Sequence, residues 1–163
     1  MPGCYAEAEK IALGTPEIIE NELHAERISD DEPTGCSRKV YRIGDVVYKL
    51  GTADYAMEDN GREFRMFEFC KDRPWASPVS LYCIGDTDVL CMPYYENRPT
   101  PNGGSFHCND DDDALYEIER EWREWAEIES PDTFPSCDFH TGNYRYDEKG
   151  QIKIIDGAGV SWY

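Results

Sequence analysis

Apolar and polar positions sort the chain into short β-rich runs and two clear helical stretches. Val40, Tyr41 and Ile43, a turn at Gly44-Asp45, then Val46, Val47, Tyr48 and Leu50 predict a β-hairpin. Within residues 55–71, Phe64, Phe67 and then Cys70 or Lys71 recur at spacings of three and four, with Met66 on the inward edge. That spacing predicts an amphipathic helix, weakened at Gly61. A second hairpin is expected over residues 78–92, turning at Gly85-Asp86-Thr87. Residues 96–108, with Pro99, Pro101 and Gly103-Gly104, read as a linker. Leu115, Ile118, Trp122 and Trp125 then predict a long helix ending near Glu129, its tryptophans packed in the core. A last hairpin spans residues 144–155 and turns at Asp147-Glu148-Lys149-Gly150. Before all of these, Thr15-Pro16-Glu17 is a helix start: Thr can cap, Pro suits the first turn, and Glu favours the positive dipole end. The stripe Ile18, Ile19, Leu23 and Ile28 carries that helix toward a stop at Asp30-Asp31-Glu32-Pro33. The pattern as a whole is α+β with antiparallel strands.

Composition narrows the classes. At 163 residues the chain can bury a core as a single domain. Lys plus Arg is 16 and Asp plus Glu is 34, a net charge of −18, which argues against nucleic acid or an anionic membrane as partner. The seven cysteines form no C-x-x-C pair, and several lie in apolar strand-like runs, so they read as reduced thiols. No basic segment leads into an apolar run at the start, and no apolar stretch is long enough for a bilayer. The expected location is the cytoplasm, of a cell or of an infected host.

Chemistry gathers at the last hairpin. Asp138 precedes Asn143 by five residues, and Asp156 follows it by thirteen, so three oxygen-bearing side chains are expected at one end of the strand pair. A carboxylate able to accept a proton, with an amide and a second carboxylate able to hold a hard cation, suits phosphoryl transfer from a nucleotide. An acidic hairpin with a helix-cap Asp and an Asn turn is the plain alternative. The run Asn109-Asp110-Asp111-Asp112-Asp113 resembles a metal site, yet a capped helix N-terminus accounts for it better.

The segment Asp138-Phe139-His140-Thr141-Gly142-Asn143, followed by a strand pair and Ile155-Asp156-Gly157, resembles the catalytic and metal-binding loops of the protein-kinase-like phosphotransferase superfamily. Its form is closest to the aminoglycoside and choline phosphotransferases and to the atypical kinases of ubiquinone biosynthesis. The likeness covers roughly residues 28–160 as an ordered series of elements. It implies an α+β, protein-kinase-like fold: an N-terminal helical extension over residues 1–28, an antiparallel-sheet N-lobe with one helix over 29–95, and a truncated, mainly helical C-lobe with a catalytic hairpin over 96–163. By the same likeness Asp138 is the catalytic Asp, and Asn143 and Asp156 bind Mg²⁺. Lys49 reaches the α- and β-phosphates of ATP and Glu63 pairs with Lys49. Gly35 and Ser37 lie in the loop that covers the phosphates, and Met92 and Tyr94 in the hinge stretch 92–95 that meets adenine. His140 would donate to the transferred phosphoryl group or simply bond within its loop. Taken singly, Lys49 reads as a solvated strand-end charge and Glu63 as a surface charge on an acidic helix.

Two departures stand out. Ser136-Cys137 replaces the usual His-Arg, and Asp156-Gly157-Ala158 lacks the Phe-Gly pair. With seven residues after Asp156, no activation segment follows, so the underside of a truncated C-lobe is expected to need cover. Residues 1–28, a second copy of the chain in a homo-oligomer, or a host protein would supply it. Compact proteins of this kind are encoded by bacteriophages. The leading expectation is an ATP- and Mg²⁺-dependent phosphotransferase acting on a protein or small-molecule hydroxyl. The alternatives are a pseudokinase-like module that binds nucleotide or protein, including a viral effector, and an acidic polyanion mimic that inhibits a basic protein.

Overall fold

The computed structural model describes residues 4–28, 38–52, 54–97, 112–129, 135–136, 143–156 and 161–162. They are α+β, divided between two compact units: Met1–Glu68 with Pro78–Tyr94, and Phe69–Ser77 with Tyr95–Tyr163.

The first unit is built on a five-stranded antiparallel sheet. Its strands are β1 (Glu26–Arg27), β2 (Lys39–Ile43), β3 (Val46–Gly51), β4 (Ser80–Ile84) and β5 (Thr87–Pro93), in the spatial order β1-β2-β3-β5-β4. Both expected hairpins are present. Gly44 and Gly85 turn them at φ of 58° and 60°, a left-handed conformation that costs glycine little because it has no Cβ. Register puts Tyr41 opposite Tyr48 and Tyr48 opposite Cys91, so all three face the same side. With Leu50 and Val89 they form a core against Cys4, Ala8 and Ile11 of α1 (Cys4–Leu13) and Ile19 of α2 (Pro16–Glu22). Burial there pushes the Tyr48 hydroxyl and the Cys91 thiol well above their usual pKa ranges. Thr15 caps α2 by accepting a hydrogen bond from the Ile18 N–H, as its sequence position predicts.

Two features differ from expectation. Helix α1 carries no obvious stripe because two of its three buried residues are Cys and Ala. The second helix ends at Glu22 rather than near Ile28: the chain turns through His24 at φ 50° and adds β1 beside β2. The N-terminal segment packs on the sheet of the first unit.

Strand alternation turns the neighbours of Tyr48 to the opposite face. There Lys49, opposite Val40 and Leu90, meets α3 (Asp54–Phe69). This helix buries Ala56, Asn60, Glu63, Met66 and Phe67. Two of these five are polar, and they define the candidate site.

In the second unit, α4 (Asp112–Glu129) buries Leu115, Ile118, Trp122 and Trp125 as the sequence pattern predicts, with the two indoles 6.0 Å apart. Strands β7 (Tyr144–Tyr146) and β8 (Ile152–Ile154) form the expected hairpin, and β6 (Pro135–Ser136) pairs with β9 (Ser161–Trp162). The Asp147 carboxylate accepts from the N–H groups of Gln151 and Lys149, each at 2.9 Å, and these bonds hold its pKa below the usual range. Residues 74–77 lie along β8. The Ile154 N–H donates to Trp75 O at 3.0 Å, Ser77 Oγ donates to Ile154 O at 3.0 Å, and Lys153 Nζ donates to Pro74 O at 2.6 Å. Trp75 in turn donates through Nε1 to Glu121 of α4 at 2.8 Å, tying hairpin and helix together.

Candidate functional site

Lys49 and Glu63 come from elements whose facing sides are set by strand alternation and helix periodicity. They form a direct ion pair, Nζ to Oε1 at 2.5 Å. Glu63 is fully buried and Lys49 is 5% exposed. Neither is the solvated surface charge that each resembles in isolation.

Around the pair lies a cluster that the sequence does not announce. Arg38, immediately before β2, brings Nη1 to 2.6 Å from Glu63 Oε2. Its approach is a charge contact off the hydrogen-bonding direction, and Oε2 accepts no hydrogen bond among the described residues. The same Nη1 donates to Asn60 Oδ1 at 2.9 Å. Asn60, one helical turn before Glu63, uses Nδ2 to reach both the Lys49 carbonyl at 3.0 Å and Asp88 Oδ1 at 2.6 Å. Two cations, two carboxylates and one amide are thus interlocked between strand and helix. Burial lifts the Asp88 carboxyl above its usual pKa, while the Asn60 hydrogen bond and the charge of Arg38 pull it back down. Asp88 also lines an open groove of about 650 Å³ along α3, with Asp54, Glu58, Arg62 and Arg65 among its charged sides.

Gly51, opposite Asp88 in the ladder, makes room for this cluster. A Cβ there would lie 2.5 Å from Asp88 Oδ1, 3.0 Å from Asn60 Nδ2 and 3.1 Å from the Ala56 carbonyl carbon. Two of these neighbours are held by buried hydrogen bonds and the third is helix backbone, so none can yield cheaply. Gly51→Ala is expected to cost about 1–3 kcal/mol, the usual range for overpacking, measured by urea denaturation. A midpoint equal to that of the unsubstituted protein would show that the helix can move away.

Asn143 and Asp156 sit at the open end of the β7–β8 hairpin. The Ile155 N–H donates to Asn143 O at 2.9 Å, which extends the ladder by one rung and leaves Asp156 as the next residue. Both are partly exposed. In the hinge-matching stretch Met92 is 1% exposed. The Tyr94 N–H donates to Asp45 O at 2.8 Å, and the Tyr94 ring carries the Arg42 guanidinium 3.6 Å from its centroid. Asp138, His140, Gly35 and Ser37 lie outside the described residues, as does most of the 109–113 acidic run.

No protein-family model and no curated protein matches the chain. Among the described residues no group of three or more His, Cys, Asp or Glu side chains gathers as for a metal ion, Cys4, Cys70, Cys83 and Cys91 are free thiols, and no helix is long and apolar enough to cross a membrane.

Arg38, Asn60, Asp88 and Gly51 are the site residues that sequence reasoning missed. One signal was available: Asn60 precedes Glu63 by three positions and so shares its helix face. Asp88 and Gly51 depend on strand register and Arg38 on how the chain enters β2, and no local pattern encodes either.

Proposed function

We propose that the chain is an ATP- and Mg²⁺-dependent phosphotransferase with a protein-kinase-like fold. The observation that carries this reading is the buried Lys49–Glu63 pair. Burying two charges costs more desolvation than it returns in stability, so a strand Lys and a helix Glu held out of water point to work done by the ammonium. The order of hairpin, helix and hairpin in the first unit, with the helix on the Lys49 face, supports the same reading.

In this proposal Lys49, held by Glu63, binds the α- and β-phosphates. Asn143 and Asp156 fit a hard cation: both offer oxygen, adjacent rungs of one hairpin carry them, and Mg²⁺ requires few protein donors when phosphates and water complete its shell. Bound Mg²⁺ would supply the charge that neutralises the phosphate oxygens. Asp138 is assigned the acceptor, a protein or small-molecule hydroxyl, which it orients or deprotonates. The chain's own contribution is positioning and charge.

A module that binds without transferring phosphate is the second reading. One observation favours it: the Tyr94 N–H already donates to Asp45 O, so one donor of the hinge-matching stretch is engaged within the chain.

Thermal denaturation with Mg²⁺-ATP against Mg²⁺ alone, followed by product analysis, tests both. Nucleotide at one hundred times its dissociation constant is expected to add about 2.7 kcal/mol of stability. Absence of any shift removes the nucleotide from the account, and a shift without product selects the binding module.

A further inference from the structure

We infer that Arg38 is a positioning residue for Lys49, acting through Glu63. The inference deepens the phosphotransferase reading and rests on it for its functional half. Glu63 divides its carboxylate between two cations: Oε1 faces Lys49 Nζ at 2.5 Å and Oε2 faces Arg38 Nη1 at 2.6 Å. A carboxylate at the end of a glutamate chain turns easily about its last torsion, which is broad and two-fold. With a cation fixed at each oxygen the group has one orientation, and in that orientation Oε1 holds the ammonium.

Arg38 is itself held on target. Its Nη1 also donates to Asn60 Oδ1 at 2.9 Å, and the Asn60 amide is anchored by Lys49 O and Asp88 Oδ1. The Arg38 and Lys49 side chains are 7% and 6% exposed, and that of Glu63 is fully buried, so water offers little competition for any of these contacts. The closed circuit from Lys49 carbonyl through Asn60, Arg38 and Glu63 back to the Lys49 ammonium ties both ends of one residue to α3. The pair is accordingly pre-assembled, and α3 has no separate docking movement to make before nucleotide arrives. Guanidinium chemistry suits the post because the charge is permanent and the donors are planar.

The test follows the Lys49 ammonium directly. A buried ion pair slows exchange of ammonium protons with water enough for a ¹H–¹⁵N signal to be recorded, which a purely structural contribution of Arg38 would leave unchanged in the folded state. The signal is recorded for the intact chain and for Arg38→Gln and Arg38→Lys, each at a temperature where circular dichroism shows the variant folded, and Mg²⁺-ATP affinity is measured on the same samples. Arg38→Gln is expected to accelerate Lys49 proton exchange at least tenfold and to raise the Mg²⁺-ATP Kd about tenfold. Arg38→Lys, whose stem is too short to reach both oxygens fully, is expected to fall between, and it decides the matter if Arg38→Gln does not fold. Unchanged exchange in a folded variant overturns the inference. Faster exchange with an unchanged Kd overturns its functional half. Should the unsubstituted chain bind no Mg²⁺-ATP while its Lys49 exchange still depends on Arg38, the phosphotransferase reading fails and the positioning stands.

Discussion

Lys49→Met is expected to lower Mg²⁺-ATP consumption at least 100-fold while leaving the protein folded. Removing a single preorganised donor from a charge-stabilising site costs roughly two to three orders of magnitude in turnover, and Lys49 is the ammonium assigned to the phosphates. Folding survives for a specific reason. Met matches the Lys stem in length and fills the same space on the sheet, and the Arg38 contact at 2.6 Å leaves Glu63 with a cation. Steady-state ATP consumption, with circular dichroism as the check on folding, measures the effect. Turnover within threefold of the unsubstituted protein would remove Lys49 from the chemistry.

Glu63→Gln is expected to have the largest effect on stability, a loss of about 3–5 kcal/mol in urea or thermal denaturation. The amide keeps the shape of the carboxylate but not its charge, so Lys49 and Arg38, both more than nine-tenths buried at the side chain, face one another without it. Loss of one member of a buried pair is costly because the remaining charge stays desolvated. The two substitutions therefore separate: removing Lys49 leaves one cation on one carboxylate, whereas removing the charge of Glu63 leaves two cations and no carboxylate between them. A loss below about 1 kcal/mol from Glu63→Gln would show that water reaches the cluster and would weaken the case that its burial serves the ammonium.

Much of the architecture was legible wherever one residue type implies one local geometry. The turns at Gly44-Asp45 and Gly85-Asp86 lie between β-branched and aromatic runs, and the structure forms both hairpins there. Leu115, Ile118, Trp122 and Trp125 carry their helical period in large side chains, and all four are buried. The N-terminal helix escaped notice for the complementary reason. Cys4, Ala8 and Ile11 have helical spacing, but a small side chain on an acidic helix gives a faint apolar signal even when it is fully buried.

Local chemistry in the chain determined that a Lys would stand near the end of a strand and a Glu fourteen residues later on a helix. Period alone put both on faces able to turn inward. Whether they were solvated charges or partners was a tertiary matter, because it depended on which face of the sheet α3 would cover. Packing of α1 and α2 on the Tyr48 face left the Lys49 face to α3. The recruitment of Arg38, Asn60 and Asp88, and the need for hydrogen alone at Gly51, followed from register and from the approach of the helix. The hydrogen bonds among them join residues up to 28 positions apart, and a pairing over that distance exists only once strands are aligned and a helix is seated on them.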